Sequence, residues 1–300
     1  MATSSSDDDG ESSASFKVKI IVIAIFLSSF LILFSARNKS HSAKNVFVEM
    51  KSQSVTEKQL VMPTDATRAK KKKKIYLTFD DGPNDGTMNV LNILKEENVP
   101  ATFFIVGEHV FMSKEQATTW DSLLHAKNIE LCNHSYTHAN NRYQKFYKDP
   151  KKVVQDIELT KEKLLPDNDI VRAPGRNAWR IDSLHFTDIK KSKAAIDSLQ
   201  SAGFIVMGWD LEWHYNPKTF VLKSSADQLF KQVKALFDKK KTRVPDNLVL
   251  LAHDQVYNSK KDSMQLREFV QKIKQSDEYE LSIVSNYPAI RATDSTRHKP

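Results

Sequence analysis

From Ile75 onward, short apolar runs alternate with amphipathic stretches. The runs Ile75–Phe79, Ala101–Gly107, Ile129–Cys132, Asp169–Ala173, Phe204–Trp209, Leu248–Ala252 and Leu281–Val284 have the length and character of buried strands. Between them, Ala226, Leu229, Phe230, Val233, Leu236 and Phe237 keep one helical face apolar, as do Leu266, Phe269, Val270 and Ile273. Asp149-Pro150 opens another helix through Val154 and Ile157, with the proline at its tolerated first position. Gly203 follows Asp197–Ala202, where a helix C-cap is expected. Strands alternating with helices predict an α/β fold, either a parallel (β/α) barrel or a doubly wound sheet. No internal repeat and no Gly-rich phosphate loop is visible.

Ahead of this body the pattern changes. Ile20–Ala36, IIVIAIFLSSFLILFSA, is apolar on every side. A helix of that length reaches ~26 Å at ~1.5 Å per residue, near the lower limit for crossing a bilayer. It reads as an uncleaved transmembrane anchor. A cleaved signal peptide is the rival, but cleavage after Ala36 would put bulky Phe34 where a small residue is wanted. The expected organisation is a tail over 1–19, an anchor over 20–36, a polar tether over 37–74, a folded body over 75–286 and a C-terminal tail over 287–300. Charge does not orient the anchor, because Arg37, Lys39 and Lys44 balance Lys17 and Lys19.

The net charge of +8 is partly concentrated in Lys70–Lys74. Such a run reads as a solvated segment, with attraction to an anionic membrane or wall surface as the sharper alternative. Nucleic-acid binding is disfavoured, since the run carries no interleaved aromatics and no recognition motif. The single cysteine, Cys132, excludes an internal disulfide framework and reads as a small buried residue. No protein partner is inferred.

Candidate chemistry gathers at strand ends. Asp80 and Asp81 end the first run, Asn133, His134 and His138 follow the third, and Arg172 lies at the end of the fourth. Asp210, Glu212 and Trp213 follow the fifth, and His253 with Asp254 ends the sixth. In parallel α/β folds the carboxyl ends of the strands meet on one face, so these scattered residues are expected to converge. Gly82, Gly107, Gly175 and Gly208 also fall near strand ends. His134 and His138, four apart, would share one face of a helical turn, a spacing suited to one metal ion. Asp81 is the choice for a third ligand, leaving coordination positions open as a catalytic metal requires. Asp80 is then free to take a proton from water held by the metal, whose pKa zinc can lower to ~7. A capped turn is the bland reading of the acidic pair, and a calcium loop fails because Pro83 stands where Asp or Asn is needed.

The segments TFDDGP, NHSYTH, RAP, DLEW and LLAHD, in this order, resemble the polysaccharide deacetylases, the NodB-homology family of carbohydrate esterases. The resemblance covers roughly Ile75 to Val284 and implies a distorted (β/α) barrel of about seven parallel strands, here preceded by the anchor. It implies a divalent metal, most often zinc and sometimes cobalt, and hydrolysis of N-acetyl groups on a hexosamine polymer, or less often of an O-acetyl ester. By motif, Asp80 would be the base, and Asp81, His134 and His138 the metal ligands. His253 would protonate the departing amine, Arg172 would hold the base, and Leu251 would line the acetyl pocket. Gly175 would present a backbone N–H to the oxyanion, Trp213 would meet substrate, and Asp210 or Glu212 would pair with Arg172, with Asp254 in support.

Two departures stand out. The aromatic that the family places after the motif proline is replaced by Gly175 and Arg176, with Trp179 as a candidate substitute ring and Arg176 as a candidate cation for an acidic sugar. Asp210-Leu211-Glu212-Trp213 is a compressed form of the fourth motif. His109, His125 and His185 read as surface or core residues, and His214 as a further candidate for substrate contact. The leading expectation is a membrane-anchored N-deacetylase of an acetylated polysaccharide, with its catalytic domain extracytoplasmic, periplasmic or at the cell surface; secretion by a cleaved signal peptide is the alternative. A catalytically silent polysaccharide-binding domain and a non-haem iron oxygenase, which shares the two-His-one-carboxylate set, are the competing classes.

Overall fold

The computed structural model describes residues 71–165, 167–288 and 290. The anchor at 20–36, the tail before it, the tether up to residue 70 and residues 291–300 lie outside the described residues. Among the described residues no helix is long and apolar enough to cross a membrane. In chain order the elements are β1 (Lys73–Gly82), α1 (Thr87–Glu97), β2 (Ala101–Ile105), α2 (Lys114–Leu124), β3 (Ile129–Asn133), α3 (Tyr143–Phe146) and α4 (Pro150–Leu164), then β4 (Ile170–Val171), β5 (Ala178–Ile181), β6 (Leu184–Thr187), α5 (Lys193–Ser201) and β7 (Ile205–Val206). They continue with β8 (Leu211–Glu212), β9 (Tyr215–Asn216), β10 (Val221–Leu222), α6 (Ala226–Asp238), β11 (Asn247–His253), α7 (Lys260–Lys274) and β12 (Tyr279–Leu281).

β1 organises the sheet. It pairs in parallel with β11 from Lys74 to Asp80, with β12 at its start and with β2 near its end. Alternate residues serve opposite faces, as the strand period of two requires. Ile75, Leu77 and Phe79 pack with residues of α1, α6 and α7 on one side, while Tyr76 packs with Phe104, Val249 and Trp179 on the other. Thr78 and Asp80 share that second face with Tyr76, so polar side chains appear only toward the carboxyl end. Cys132 is fully buried on this face, a structural residue as its sequence context suggested.

The α/β expectation holds, and the distorted barrel of about seven parallel strands is found in part, as a curled, mostly parallel sheet with more strands than expected. One ten-stranded sheet runs β6-β5-β7-β4-β3-β2-β1-β11-β8, with β12 attached to β1. No pairing between its two ends is present among the described residues, so the sheet curls without closing. Its parallel part is extended by β5 and β6, paired antiparallel to each other and joined antiparallel to β7. Arg180 hid this hairpin by breaking the apolar run, yet it is buried and donates to Asp197 Oδ1 at 2.9 and 2.7 Å. The lysine run also departs from its expected solvated state. Lys73 and Lys74 are the first residues of β1, facing Glu278 and Glu280 across the β12 pairing at 3.7 and 3.6 Å.

Helix boundaries follow local chemistry. Pro150 is the first residue of α4, capped by Asp149, whose side chain accepts from Lys152 N–H. Ser225 and Gln228 form a reciprocal capping box at α6. Gly203, at φ +92°, continues the chain past α5 in the left-handed region expected beyond a helix C-terminus.

Candidate metal centre and active site

At the carboxyl end of β1 the register with β2 shifts between Asp80 and Gly82. Asp81 is the extra residue, at φ +77°. A bulge of this kind re-aims a side chain that strict alternation would send to the opposite face. His109 Nδ1 donates to the Asp81 carbonyl at 2.8 Å, holding the bulge in place. Beside it, Gly82 admits the buried Asp254, since a Cβ there would collide with Asp254 Oδ2. Asp254 in turn accepts from Thr87 Oγ1 at 2.5 Å and from Asn84 Nδ2, bracing the turn after the acidic pair.

The histidines are presented differently from expectation. His134 directly follows β3, and the chain then turns through Ser135 at φ +70° and His138 at φ +47°, so the pair does not lie on one helical turn. Short polar side chains stabilise this path in place of helical hydrogen bonds. Asn133 Oδ1 accepts from Ser135 N–H at 2.8 Å, Ser135 Oγ accepts from His138 N–H at 3.0 Å, and Asp156 of α4 accepts from Thr137 Oγ1 at 2.9 Å. The result still brings both imidazoles to Asp81. His134 Nε2 and His138 Nε2 stand 3.4 and 3.2 Å from Asp81 Oδ1.

Three features fit this cluster to a cation. One ligand atom each from Asp81, His134 and His138 lies within 4.8 Å of the others. Asp81 Oδ1 is buried without an aligned hydrogen-bond partner, a costly arrangement for a lone carboxylate oxygen. His134 Nδ1 lies 2.9 Å from the Arg172 carbonyl. A carbonyl can only accept, so Nδ1 carries the proton and Nε2 offers its lone pair, the usual orientation of a metal-ligating imidazole. Burial alone would raise the Asp81 carboxyl, but His134, His138 and His253 outweigh it and hold it well below the usual range. Burial opposes a charge on His134, yet Asp80 and Asp81 together push its pKa up.

Asp80 does not share the ligand position. Its Oδ1 accepts from Arg172 Nη1 at 2.7 Å, and its Oδ2 lies 3.7 Å from His134 Nε2. Arg172 is fully buried; it also donates to Thr78 Oγ1 at 2.7 Å, Met207 O at 3.3 Å and Gly208 O at 3.1 Å, with its guanidinium 4.0 Å from the Phe104 ring centre. Four of the five N–H groups of the guanidinium are therefore engaged. His253 is the register partner of Asp80 on β11, with Nδ1 buried and unpartnered and its ring 5.1 Å from that of Tyr215. Leu251, buried on β11, is the register partner of Thr78 and so borders the same face.

Several sequence candidates sit elsewhere. Trp213 is buried in the core against Tyr257 and Phe269, with Nε1 donating to Ser224 O, so it cannot line a substrate groove. Neither Asp210 nor Glu212 pairs with Arg172. Asp210 instead accepts the backbone N–H groups of Arg243 and Val249, both at 2.8 Å, and Glu212 faces His214 at 3.2 Å. Trp179 is fully buried, and Arg176 is folded inward, donating to Ser192 Oγ and lying over Tyr147. Neither replaces the absent ring. Tyr143 is the ring that packs beside Gly175: a Cβ at Gly175, which has φ +60°, would come within 3.1 Å of Tyr143 Cε1, and the Tyr143 ring meets His138 edge-on at 5.7 Å. Burial, then the charge of Asp81, pushes the Tyr143 phenol up to about 12. His109, Thr78, Tyr143 and Tyr215 were all missed from sequence. Only Thr78 carried a readable signal, its alternation with Tyr76 and Asp80.

Residues 67–176 match the family model described as polysaccharide deacetylase. YheN of Bacillus subtilis, which bears a polysaccharide deacetylase name, is 25% identical over 224 residues, 70% of this chain and 74% of its own. A Bacillus cereus protein named peptidoglycan-N-acetylglucosamine deacetylase is 31% identical over 153 residues, covering 49% of this chain and 50% of the relative. The catalytic domain of a peptidoglycan N-acetylglucosamine deacetylase from Eubacterium rectale aligns with a TM-score of 0.50 at 23% identity, over 72% of this chain and 90% of that domain. That last likeness concerns the fold.

Proposed function

Because the chain carries a polysaccharide deacetylase domain, matched over residues 67–176, we propose that it is a metal-dependent hydrolase removing N-acetyl groups from a hexosamine-containing polysaccharide of the cell surface or wall. One observation carries this reading: Asp81, His134 and His138 offer ligand atoms within 4.8 Å of one another, beside a second carboxylate, Asp80, clamped at 2.7 Å by Arg172. A mixed carboxylate–imidazole set suits zinc or cobalt, and such an ion, when bound, supplies Lewis acidity toward the acetyl carbonyl and makes water more acidic.

The chain's own side chains complete the chemistry. Asp80, fixed in direction by Arg172, takes a proton from the attacking water. The water oxygen bonds to the acetyl carbon, and the carbon–nitrogen bond breaks. His253, across the β1–β11 pairing, delivers a proton to the departing amine, since an amide nitrogen leaves poorly as an anion. Leu251 gives the acetyl methyl an apolar wall, and the Gly175 N–H faces the developing oxyanion. A silent binding domain or an oxygenase would leave the Asp80–Arg172 clamp and His253 without a task.

Residues 20–36 would anchor the protein with its tail inside and this domain outside, where such a polymer lies. Protection of the domain from external protease on intact cells would sink that placement. The activity itself is tested by acetate release from N-acetylglucosamine oligomers, peptidoglycan, poly-N-acetylglucosamine and acetylated xylan, after loading with zinc or cobalt. No acetate from any of them overturns the reading, and release from xylan alone makes the protein an O-acetyl esterase.

A further inference from the structure

Beyond β4 the chain turns through Ala173-Pro174-Gly175-Arg176 before it enters β5. Arg176 N–H donates to Ala173 O at 3.1 Å, and Gly175 sits at φ +60°. Proline at the first central position and a positive φ at the second define a type II turn. Such a turn differs from type I in the direction of its central peptide, here Pro174 C=O and Gly175 N–H. Because that peptide is planar and trans, its C=O and N–H point opposite ways. Whatever holds the Pro174 carbonyl therefore aims the Gly175 N–H.

Tyr147, directly after α3, holds it. The residue is buried, and its hydroxyl donates to Pro174 O at 2.7 Å. Burial pushes the phenol well up, so the oxygen keeps the proton it donates. The carbonyl is thus drawn inward and the N–H is turned outward. Gly175 is exposed, and its N–H has no hydrogen-bond partner among the described residues. A donor on a peptide oxygen also polarises the N–H of the same peptide, making it a better donor. Tyr143, which packs beside Gly175, meets the His138 ring at 5.7 Å, so this turn borders the candidate metal centre.

Arg176 fixes the other side of the glycine. Its Nη1 donates to Gly175 O at 2.6 Å, and its Nε donates to the buried Ser192 Oγ at 2.7 Å. Its guanidinium lies 4.7 Å from the Tyr147 ring centre, so the two side chains brace each other. We propose that Tyr147 and Arg176 are positioning residues for the reaction: they pin the carbonyls on either side of the Gly175 α-carbon and so present its N–H to the acetyl oxygen as that oxygen gains charge. The proposal rests on the deacetylase reading above, in which this N–H meets the oxyanion. Neither side chain touches substrate, and each acts through the turn. A preorganised donor of this kind is used most in the transition state, so its loss belongs in kcat rather than KM.

Tyr147→Phe removes only the hydroxyl and keeps the ring beside Arg176. On an N-acetylglucosamine pentamer it is expected to lower kcat about tenfold, part of the ~10²–10³ that one oxyanion donor contributes, with KM within about twofold and bound zinc unchanged. Arg176→Met should show a fall of similar size, and Arg176→Lys, which can still reach Gly175 O, should recover part of it. The peptide is also read directly, without turnover. The chain has seven glycines, so glycine-selective isotope labelling gives few amide signals in NMR, and Gly175→Ala assigns the one in this turn. That signal is expected to move upfield in Tyr147→Phe, as the N–H loses polarisation. An unchanged kcat in folded Tyr147→Phe, a fall accompanied by zinc loss, or an unmoved Gly175 amide overturns the proposal. A wild-type protein that releases no acetate, yet shows the amide shift, retains the aimed N–H while the deacetylase reading fails.

Discussion

Asp81 is the bulged neighbour of Asp80, and for that reason two consecutive carboxylates reach one site. His134 Nε2 lies 3.7 Å from Asp80 Oδ2 and 3.4 Å from Asp81 Oδ1. In an unbroken strand one of these side chains would face the helical layer. Here the φ of +77° at Asp81 turns it toward the histidines, while Asp80 stays in register opposite His253. Like charges so close are tolerable only when each has its own compensation. Asp80 has Arg172, and Asp81 has the two imidazoles and the cation they are suited to share.

Asp80→Asn separates the two roles. The amide keeps the shape of the carboxylate and leaves the three ligands intact, but cannot take a proton. Turnover is expected to fall by ~10²–10⁴ with bound metal unchanged by elemental analysis. His253→Ala should show a similar fall, again without metal loss. Full activity in Asp80→Asn would remove it as the base.

Asp81→Ala should abolish metal binding. A ligand that binds only the folded state stabilises it by mass action, by ~2.7 kcal/mol at a hundredfold excess over Kd. Zinc is therefore expected to raise the melting temperature of the wild-type protein and to leave that of Asp81→Ala unmoved. An equal rise in both would place the ion elsewhere.

Asp254 should make stability depend on pH. Burial pushes its carboxyl up to about 7, against the opposing hydrogen bonds from Thr87 and Asn84. Between the ordinary carboxylate value, ~3.9, and this one, the folded protein holds a proton that the unfolded chain has released. The contribution of this group to stability thus falls as pH rises through that window, by at most roughly 1.4 kcal/mol per pH unit. Asp254→Asn can accept from Asn84 and donate to Thr87, so it should flatten the slope and be the more stable protein at pH 8. Urea titrations from pH 4 to 8 in chelator check this, and identical slopes in the two proteins would contradict it.

Gly175→Ala should disturb Tyr143. The new methyl would lie 3.1 Å from the ring, at a backbone φ of +60° that alanine resists, a combined cost of about 1 kcal/mol or more. Adding Tyr143→Ala should recover the steric part, which a double-mutant cycle in chemical denaturation would read as coupling between the two positions. Strict additivity would mean that the ring does not pack there.

The strands around β1 were legible because Ile75, Leu77 and Phe79 announce a buried face, and because Asp80 and Asp81 end an apolar run with charge. The Asp149-Pro150 start of α4 and the Gly203 C-cap were legible for the same reason: local backbone chemistry leaves a local mark. Trp213 misled, since an aromatic beside acidic residues reads equally well as a groove wall or a core residue, and only packing against Tyr257 and Phe269 distinguishes them. Lys73 misled in the opposite direction, as a charge whose partner, Glu278, lies far along the chain.

By itself, then, the sequence determined which residue types were available and at which strand ends they would appear, because hydrophobic periodicity and capping act over a few neighbours. Tertiary structure decided which of them meet. The bulge that turns Asp81, the left-handed path through Ser135 and His138, the burial of Arg172 under Asp80, and the arrival of Tyr143 beside Gly175 each depend on segments distant in the chain pressing on one another. A single sequence window carries no record of that pressure.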